Sequence, residues 1–407
     1  MSLKARRSPE ILHERLASLN NSSAEEDRTR GSYVSHETKR SRRLLSIHFS
    51  PNARYPLLPM SSINIGVIGL GYWGPNLLRN FAENEAAQLR WICDQDEQRL
   101  TSMSRRYPMA QTTTDYRAVA HDQSVDAVAV VTPVATHFTI AKELLRAGKH
   151  VLLEKPLAAT VREAEELIDL AEQNKRTLMV DHTFVYTGAV RKMKEIVSSG
   201  ELGDLLYFDS VRINLGLFQR DINVLWDLAP HDLSIMDYLI DRQPEGLSAI
   251  GSCHIEKGIE NIAYLIMKFP GDFIAHFHFN WLAPVKIRHT LIAGSSKMVL
   301  YDDIEPTEKV RVYDKGVTAS RIGDREAAYQ TLVSYRTGDV WAPKLDSTEA
   351  LRYVVAEFLE AIRAGRKSLT DGHAGLRVVR LLEAAQQSMK NGGQAVMLGN
   401  TAQTAPA

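Results

Sequence analysis

The residues best suited to chemistry include a lysine placed directly after an apolar run. The triplet Glu154-Lys155-Pro156 follows His150–Leu153, which has the composition of a buried strand. A lysine there can hydrogen-bond a substrate hydroxyl and favour its deprotonated form as a hydride leaves. Glu154 can hold the ammonium in place, and Pro156 would stiffen the turn. The alternative is an exposed charge pair in front of a helix.

An aspartate and a histidine form the second candidate pair. Asp227 and His231 are spaced i, i+4 at a predicted helix of roughly Leu228–Ile240, so both lie on one face. A carboxylate beside an imidazole raises its basicity and fixes its orientation, which suits a general base that removes a hydroxyl proton. Asp232 lies about a quarter turn away and is less suited to share this role. A simple contact on the helix surface is the alternative.

A glycine-rich turn must position any cofactor for these groups. Gly69, Gly71 and Gly74 form G-x-G-x-x-G between a predicted strand, Ile63–Ile68, and a predicted helix, Asn76–Asn84. The first glycine permits a tight turn, the second lets backbone approach a pyrophosphate, and the third lets helix pack on strand. The helix N-terminus adds unpaired N–H groups and a positive dipole end. This pattern predicts a dinucleotide site.

An acidic residue after the second apolar run indicates which dinucleotide is bound. Asp94 follows the predicted strand Leu89–Cys93. A carboxylate in that place accepts hydrogen bonds from both ribose hydroxyls and repels a 2′-phosphate, which favours NAD over NADP. The alternative is a surface aspartate that caps the next helix, with Asp96 sharing that role.

The first half of the chain alternates strands with helices. Such alternation predicts an α/β Rossmann fold, a doubly wound parallel sheet with ligands at the carboxyl ends of its strands. The further predicted strands are Val125–Val131 and Thr177–Val180, and the further helices are Gln98–Arg105, Thr136–Ala147 and Val161–Glu172.

After Tyr186 the pattern changes to successive strands. These strands predict an α+β domain with a large, open, mostly antiparallel sheet, interrupted by the helix of the Asp/His pair. The predicted strands are Leu205–Ile213, Gly246–Ile255, Ala263–Phe269, Phe273–Trp281, Lys286–Ala293 and Lys297–Tyr301, and the closing helices are Thr348–Ala364 and Ala374–Met389. We expect a basic N-terminal extension over residues 1–61, the dinucleotide domain over 62–184, the second domain over 185–398 and a tail over 399–407.

Composition excludes several classes of protein. The chain has 407 residues, 44% hydrophobic residues, 24% charged residues and a formal net charge of zero, which gives no push toward nucleic acid or membrane. No apolar stretch approaches the ~20 residues that span a bilayer. The only two cysteines are Cys93 and Cys253, and Cys93 lies in a predicted strand, so a reducing, cytoplasmic setting is expected.

The first 59 residues differ from the rest in charge. They carry 11 Lys or Arg against 6 Asp or Glu, and their apolar periodicity is poor. A disordered extension is favoured over a functional arm. Met60 stands just before the first strand, which raises the hypothesis that it is the natural start.

Two histidines on one predicted strand do not form a metal site. His276 and His278 alternate on one face, but no ligand spacing typical of zinc appears, so core or interface histidines are expected and no metal is predicted. The interleaved Phe273, Phe277 and Phe279 are expected to mark a sheet face buried in an oligomer.

These motifs, in this order, resemble the Gfo/Idh/MocA oxidoreductase family. The resemblance covers residues 62 to about 398. It rests on Gly69-Leu-Gly-Tyr-Trp-Gly74, Thr132-Pro-Val-Ala-Thr-His137, Glu154-Lys-Pro156, Asp227-Leu-Ala-Pro-His231 and Leu382-Glu-Ala-Ala-Gln-Gln-Ser388.

The resemblance implies roles for individual residues. Lys155 and His231 would carry the proton chemistry, Asp227 would orient, and Pro156 would follow a cis peptide bond. It also implies NAD or NADP as cofactor, no metal, a sugar or polyol substrate, and a dimer or tetramer built through the second domain. The residues implied in cofactor binding are Gly69, Gly71, Tyr72, Trp73, Gly74, Asp94, Thr132, Pro133, His137, Glu154, Lys155 and Pro156.

The segment from Asn214 to Asp232 is similar to the branch of the family that acts on nucleotide-linked sugars, including UDP-N-acetylglucosamine 3-dehydrogenases. In that reading Arg220 and Asn223 would meet a diphosphate or acetamido group, and Tyr186 would line the pocket. A free sugar or inositol dehydrogenase, an NAD-dependent glycosidase of the same fold and a non-catalytic NAD-sensing regulator remain alternatives. The exact substrate, the carbon oxidised and the direction are left open.

Overall fold

The computed structural model describes residues 62–216, 218, 222–319 and 333–399. The N-terminal extension through residue 61, the tail from residue 400 and the predicted substrate residue Arg220 lie outside the described residues. The domain boundaries assigned above stay predictions.

The first sheet has the predicted parallel architecture. Its strands run in the order β3-β2-β1-β4-β5-β6, and every neighbouring pair is parallel. The order reverses between β1 and β4, and in such sheets ligands bind at the carboxyl ends beside this reversal. The strands are β1 (Ile63–Ile68), β2 (Ala87–Cys93), β3 (Gln111–Thr113), β4 (Ala127–Val130), β5 (His150–Glu154) and β6 (Leu178–Asp181).

Helices connect the strands of this sheet. Two elements, β3 and α3, escaped prediction because three polar residues and a six-residue helix are too short to show periodicity. The helices are α1 (Gly74–Ala82), α2 (Glu97–Arg106), α3 (Tyr116–His121), α4 (Val134–Arg146) and α5 (Val161–Gln173).

The second sheet is mostly antiparallel, as predicted. Its nine strands follow the order β16-β13-β12-β11-β7-β10-β9-β8-β17, with one parallel pair, β7 and β10, and β14 pairs separately with β15. The strands are β7 (Leu205–Leu215), β8 (Gly246–Ser252), β9 (Ile262–Lys268), β10 (Ile274–Asn280), β11 (Leu282–Gly294), β12 (Met298–Asp302), β13 (Val310–Tyr313), β14 (Gly316–Ala319), β15 (Val333–Arg336), β16 (Val340–Trp341) and β17 (Val396–Met397).

The helix of the Asp/His pair begins one turn earlier than predicted. It starts at Val224, and Pro230 lies inside it. The remaining helices are a 3₁₀ turn (Thr183–Tyr186), α6 (Gly188–Ser198), α7 (Val224–Leu239), α8 (Ala350–Ala364) and α9 (Gly372–Lys390). The turn and α6 were not predicted.

The two faces of the second sheet differ in polarity. Phe277, Phe279 and Trp281 are fully buried in the core that packs against α7 and α9. The prediction that the phenylalanines mark an oligomer face is therefore wrong, because strand alternation turns them inward. His276 and His278 lie on the opposite, open face, where His278 stacks on Tyr264 with ring centroids 4.4 Å apart.

The closing helices join the two sheets. Helix α8 contributes Phe358 to the core formed around β1 and α1, while α9 packs on α5, α7 and β8. Gly375 of α9 permits this approach, since a Cβ there would lie 2.6 Å from a methyl of Val180. Within the described part of the chain, no helix is long and apolar enough to cross a membrane.

Candidate active site

The glycine turn is close-packed at two positions and open at the third. A Cβ on Gly74 would lie 2.1 Å from the carbonyl oxygen of Gly69, and Gly69 itself has φ +99°. A Cβ on Gly71 would meet no protein atom within 4 Å. The outer two glycines thus shape the turn, while Gly71 leaves room for a ligand, which fits the predicted pyrophosphate approach.

The start of α1 completes this cradle. The helix has no side-chain cap at Trp73 and no acidic residue in its first turn, so its positive end faces the turn uncompensated. Tyr72 beside it is 88% exposed and its ring lies 5.9 Å from that of Trp73. Dinucleotide phosphates fit such a turn and helix end.

Asp94 ties the second strand to the glycine turn. Its Oδ2 accepts a hydrogen bond from the Leu70 N–H at 2.5 Å, and its Oδ1 accepts one from the Asp96 N–H at 2.8 Å. Asp96, not Asp94, caps α2 by accepting from the N–H groups of Gln98 and Arg99. Asp94 therefore lies beside the cofactor turn, where the ribose role predicted for it remains open to it.

Gly71, Thr132 and Lys155 follow β1, β4 and β5 at the carboxyl edge of the first sheet, and we call this edge the crevice. His137 lies buried beneath it. The residue is fully buried, with Nδ1 2.9 Å from the Pro156 carbonyl oxygen and Nε2 2.8 Å from that of Thr132. Thr132 in turn accepts from the Thr136 hydroxyl at 2.7 Å. The structure gives His137 a positioning role in place of the predicted cofactor contact, and it connects the loops of Thr132-Pro133 and Pro156.

Lys155 follows the last strand residue of β5 and contacts helix α7. The peptide bond between Lys155 and Pro156 is cis, as the family resemblance implies. The Lys155 ammonium donates to the Asp227 carbonyl oxygen at 2.9 Å, and it lies 3.7 Å from that residue's carboxylate. Only 13% of the lysine side chain is exposed. The first turn of α7 therefore aims the ammonium, a task predicted for Glu154.

Asp227 is oriented by a residue that sequence reasoning missed. Its Oδ2 accepts a hydrogen bond from the indole N–H of Trp281 at 3.0 Å. Trp281 is fully buried at the end of β10, so the carboxylate is held by a rigid core residue. No local spacing connects two residues that are 54 positions apart.

His231 lies one turn after Asp227 on α7. The residue is half-buried and its ring packs at 5.0 Å against that of Phe184, while its Nδ1 is buried and has no hydrogen-bond partner among the described residues. Burial first, then the positive charges of Lys155 and Arg212, lower the pKa of His231 well below its usual value. The expected increase in basicity is therefore wrong, and the imidazole is neutral at physiological pH.

A buried ion pair, Arg212 with Asp232, lies next to Phe184 and α7. Arg212 donates to Asp232 through Nε at 2.5 Å and Nη2 at 3.2 Å, and its guanidinium lies 4.5 Å above the ring of Phe184. Asp232 is thereby paired with Arg212 and also accepts from the Ser210 hydroxyl at 2.9 Å, and its being less suited than Asp227 to the catalytic role stays a prediction.

Two predicted substrate residues are used structurally. The Tyr186 hydroxyl lies 3.0 Å from that of Thr370 in the core, where the tyrosine is 4% exposed. Asn223 caps α7 by accepting from the Trp226 N–H at 3.1 Å. The Asn223 amide donates at 2.7 Å to Glu260 and at 2.8 Å to Gln386. Neither side chain therefore reaches into the crevice, and both substrate assignments are corrected.

The glycine turn yields a paired prediction. The free energy of unfolding of Gly71→Ala should lie within about 0.5 kcal/mol of that of the wild type, since the added Cβ meets no protein atom. The same substitution should weaken NADH binding at least about tenfold. Gly74→Ala should lose about 1–3 kcal/mol of folding stability because its Cβ overlaps the Gly69 carbonyl. Thermal unfolding and NADH fluorescence titration measure the two effects. Equal NADH affinity in Gly71→Ala and the wild type would contradict the assignment of the cofactor site to this turn.

Family comparisons match both halves of the chain. A model described as an oxidoreductase family with an NAD-binding Rossmann fold matches residues 63–182. A model of the GFO/IDH/MocA C-terminal domain matches residues 190–299. Together the two matches span more than half of the chain.

Individual relatives agree with these matches. UDP-N-acetylglucosamine 3-dehydrogenase of Acidithiobacillus ferrooxidans is 26% identical over 79% of this chain and 95% of its own length. Its solved structure has a TM-score of 0.68, covering 82% of this chain and 99% of that one at 24% identity. Glycosyl hydrolase family 109 protein 2 of a Shewanella species is 31% identical, but only over 38% of this chain and 36% of its own.

A third similar protein was solved with ligands. Levoglucosan dehydrogenase in complex with NADH and levoglucosan has a TM-score of 0.70 at 20% identity, covering 84% of this chain and all of that one. At such identities the two structural likenesses establish the fold alone.

Proposed function

The chain belongs to the GFO/IDH/MocA oxidoreductase family, and from that premise we propose that it oxidises a secondary hydroxyl of a nucleotide-linked sugar resembling a UDP-N-acetylhexosamine. The family binds NAD or NADP and acts on sugars or inositols, so a sugar-type CH–OH substrate needs no further assumption. The observation that carries the proposal is the convergence of Lys155, from the first sheet, on the helix that bears His231.

The reaction needs a proton acceptor and a stabiliser of negative charge. When bound, the nicotinamide cofactor accepts the hydride from the carbinol carbon. His231, neutral because of its burial, is able to take the hydroxyl proton without first losing one of its own. The Lys155 ammonium stabilises the developing alkoxide, and Asp227 holds that ammonium in place.

The substrate class is supported by one relative and one stretch of sequence. The relative that covers 79% of this chain is named for UDP-N-acetylglucosamine. The stretch from Asn214 to Asp232 includes Arg220, whose charge suits a diphosphate and which stays a predicted substrate residue. Asn223 and Tyr186 no longer support this choice.

A substrate screen tests the proposal. The protein is incubated with NAD and, in parallel, with UDP-N-acetylglucosamine, UDP-glucose, free sugars and inositols, and nicotinamide absorbance is followed. We expect NADH to form in step with a keto sugar, and fastest with a UDP-N-acetylhexosamine. Turnover of inositols or free sugars alone would retain the oxidoreductase and remove the nucleotide-linked substrate.

A glycosidase of the same fold is the second candidate, favoured by the 31% identity to the Shewanella glycosyl hydrolase. That likeness is confined to 164 residues, which makes it the weaker case. Release of an aglycone from an N-acetylhexosaminide without net NADH would favour it. Tight NAD binding without turnover of any sugar would instead favour a regulator.

We also infer that the open sheet face forms an interface between copies of this chain. The face carries four exposed apolar side chains beside the two histidines, and a monomer rarely exposes such a patch. The open face includes Ile250, Tyr264, Ile266, Ile274, His276 and His278.

Light scattering after size exclusion tests this interface. The wild type should elute as a dimer or tetramer, and Ile266→Asp should shift it toward the monomer because a buried, unpaired carboxylate is costly. Met109→Asp is the matched control, since Met109 is 91% exposed on the first domain. A monomeric wild type, or an unchanged Ile266→Asp assembly, would contradict the inference.

A further inference from the structure

Two carboxylates lie side by side under the crevice. Glu154 ends β5 and Asp181 ends β6, and the parallel pairing places them directly opposite each other. Register partners on neighbouring parallel strands project their side chains to the same face of the sheet. Glu154 is 8% exposed and Asp181 1% exposed, so both carboxylates are largely removed from bulk solvent.

If both carboxylates were ionised, several of their oxygens would lack a hydrogen-bond donor. Both oxygens of Glu154 and the Oδ2 of Asp181 are buried, with no partner among the described residues. Asp181 Oδ1 accepts from the Thr183 hydroxyl at 2.7 Å. Two buried carboxylates on paired residues cannot both ionise at an acceptable cost. One proton on the pair would remove the second negative charge.

We propose that Glu154 and Asp181 hold a single proton between them, which resides on Glu154. The asymmetry follows from Thr183, because its hydroxyl stabilises the Asp181 anion, whereas for Glu154 the effects of burial and of the Asp181 charge exceed that of the Lys155 backbone N–H. The pair then carries one negative charge in place of two. Burial raises the pKa of Asp181 to about 6, and burial with the adjacent Asp181 charge raises the pKa of Glu154 well above its usual value.

The groups around the pair are consistent with this charge. Lys155 is the positive charge that acts on both carboxylates, and it follows Glu154 directly. His182, next to Asp181, is neutral, because burial and then the charges of Lys155 and Arg377 lower its pKa to about 3. From α7, Asp227 holds the Lys155 ammonium, and His231 is neutral as described.

The role assigned to the pair rests on the proposed function. Glu154 and Asp181 act as positioning residues that hold one negative charge below Lys155, while the substrate-facing chemistry belongs to Lys155 and His231. The shared proton also explains why Glu154 does not bind the ammonium directly. A second negative charge at this edge would oppose the alkoxide that forms during oxidation.

Infrared spectroscopy of the cofactor-free, full-length chain tests the shared proton directly. The C=O stretch of a protonated carboxyl group should be present at pH 7 and disappear as the pH is raised. Glu154→Gln should abolish that band at pH 7, and Asp181→Asn should make it disappear at a lower pH. Glu166→Gln is the control, because Glu166 is an exposed carboxylate paired with Lys142.

If a variant fails to fold, the infrared titration of the wild type alone tests whether a buried carboxyl group is protonated at pH 7. Absence of a protonated carboxyl band at pH 7, or a band unaffected by both substitutions, would overturn the proposal. This result does not depend on turnover, so it stands even if the substrate screen fails. Where activity is found, Asp181→Asn should shift the pH profile of kcat while the sugar KM changes less than about twofold.

Discussion

Replacement of Lys155 by methionine should lower kcat by about 10²–10⁴-fold, with NADH affinity reduced only a few-fold. Methionine keeps the apolar stem but removes the ammonium that donates to the Asp227 carbonyl oxygen. The lost charge is the one that would stabilise the alkoxide, and that charge acts in a nearly water-free site. Steady-state turnover and NADH fluorescence titration separate the two effects.

A surface lysine provides the matched control for this variant. Lys192→Met removes a charge that pairs with Glu195 on α6, far from any proposed chemistry, and should leave kcat unchanged. Lys155→Arg tests whether charge alone suffices, since guanidinium and ammonium differ in shape and hydration. Full activity in Lys155→Met would remove this residue from the mechanism.

Replacement of His231 by asparagine should also lower kcat by about 10²–10⁴-fold. Asparagine remains polar but cannot accept a proton, and the cofactor turn around Gly71 is untouched. NADH affinity and thermal stability should therefore stay close to wild type. Turnover within about twofold of wild type would show that another base takes the hydroxyl proton.

The pH dependence of the wild type checks the same role in an independent way. A histidine with an ordinary pKa of about 6.5 would lose its basic form as the pH falls through that value. Because the pKa of His231 is lowered, its neutral form persists, and kcat/KM should stay level from pH 8 to about pH 6. An acid limb near pH 6.5 that disappears in His231→Asn would contradict the lowered pKa.

The fold could be predicted where the relevant signals are local. Apolar runs such as Ile63–Ile68 and the alternation with helices indicated a parallel sheet, and the structure confirms it. The errors fall where length or context decides. Strand Gln111–Thr113 is too short for a pattern, and the start of α7 depends on the Asn223 cap, which is fixed by contacts with Glu260 and Gln386.

The candidate site shows the same difference between residues predicted by a local pattern and residues placed by tertiary packing. Gly69, Gly71 and Gly74 could be picked out from the sequence because their spacing lies in one short motif, and Gly69 and Gly74 do occupy positions that a side chain would strain. Assignments that needed a side chain to be available were less secure. Tyr186 follows a strand end as a pocket residue would, yet α8 and the Thr370 segment bury it. Both ring nitrogens of His137 likewise lie within hydrogen-bond distance of carbonyl oxygens from two different loops.

The sequence by itself determined the cofactor fold, the family and the identities of the chemical groups, because these depend on residue type and short spacing. Tertiary structure alone decided which groups meet. Lys155 contacts Asp227, which is 72 residues away in the sequence. Burial lowers the pKa of His231, whereas the nearby Asp227 had predicted a higher basicity. Only the pairing of β5 with β6 brings Glu154 beside Asp181. Burial and charge proximity arise from packing between distant segments, and no local pattern contains them.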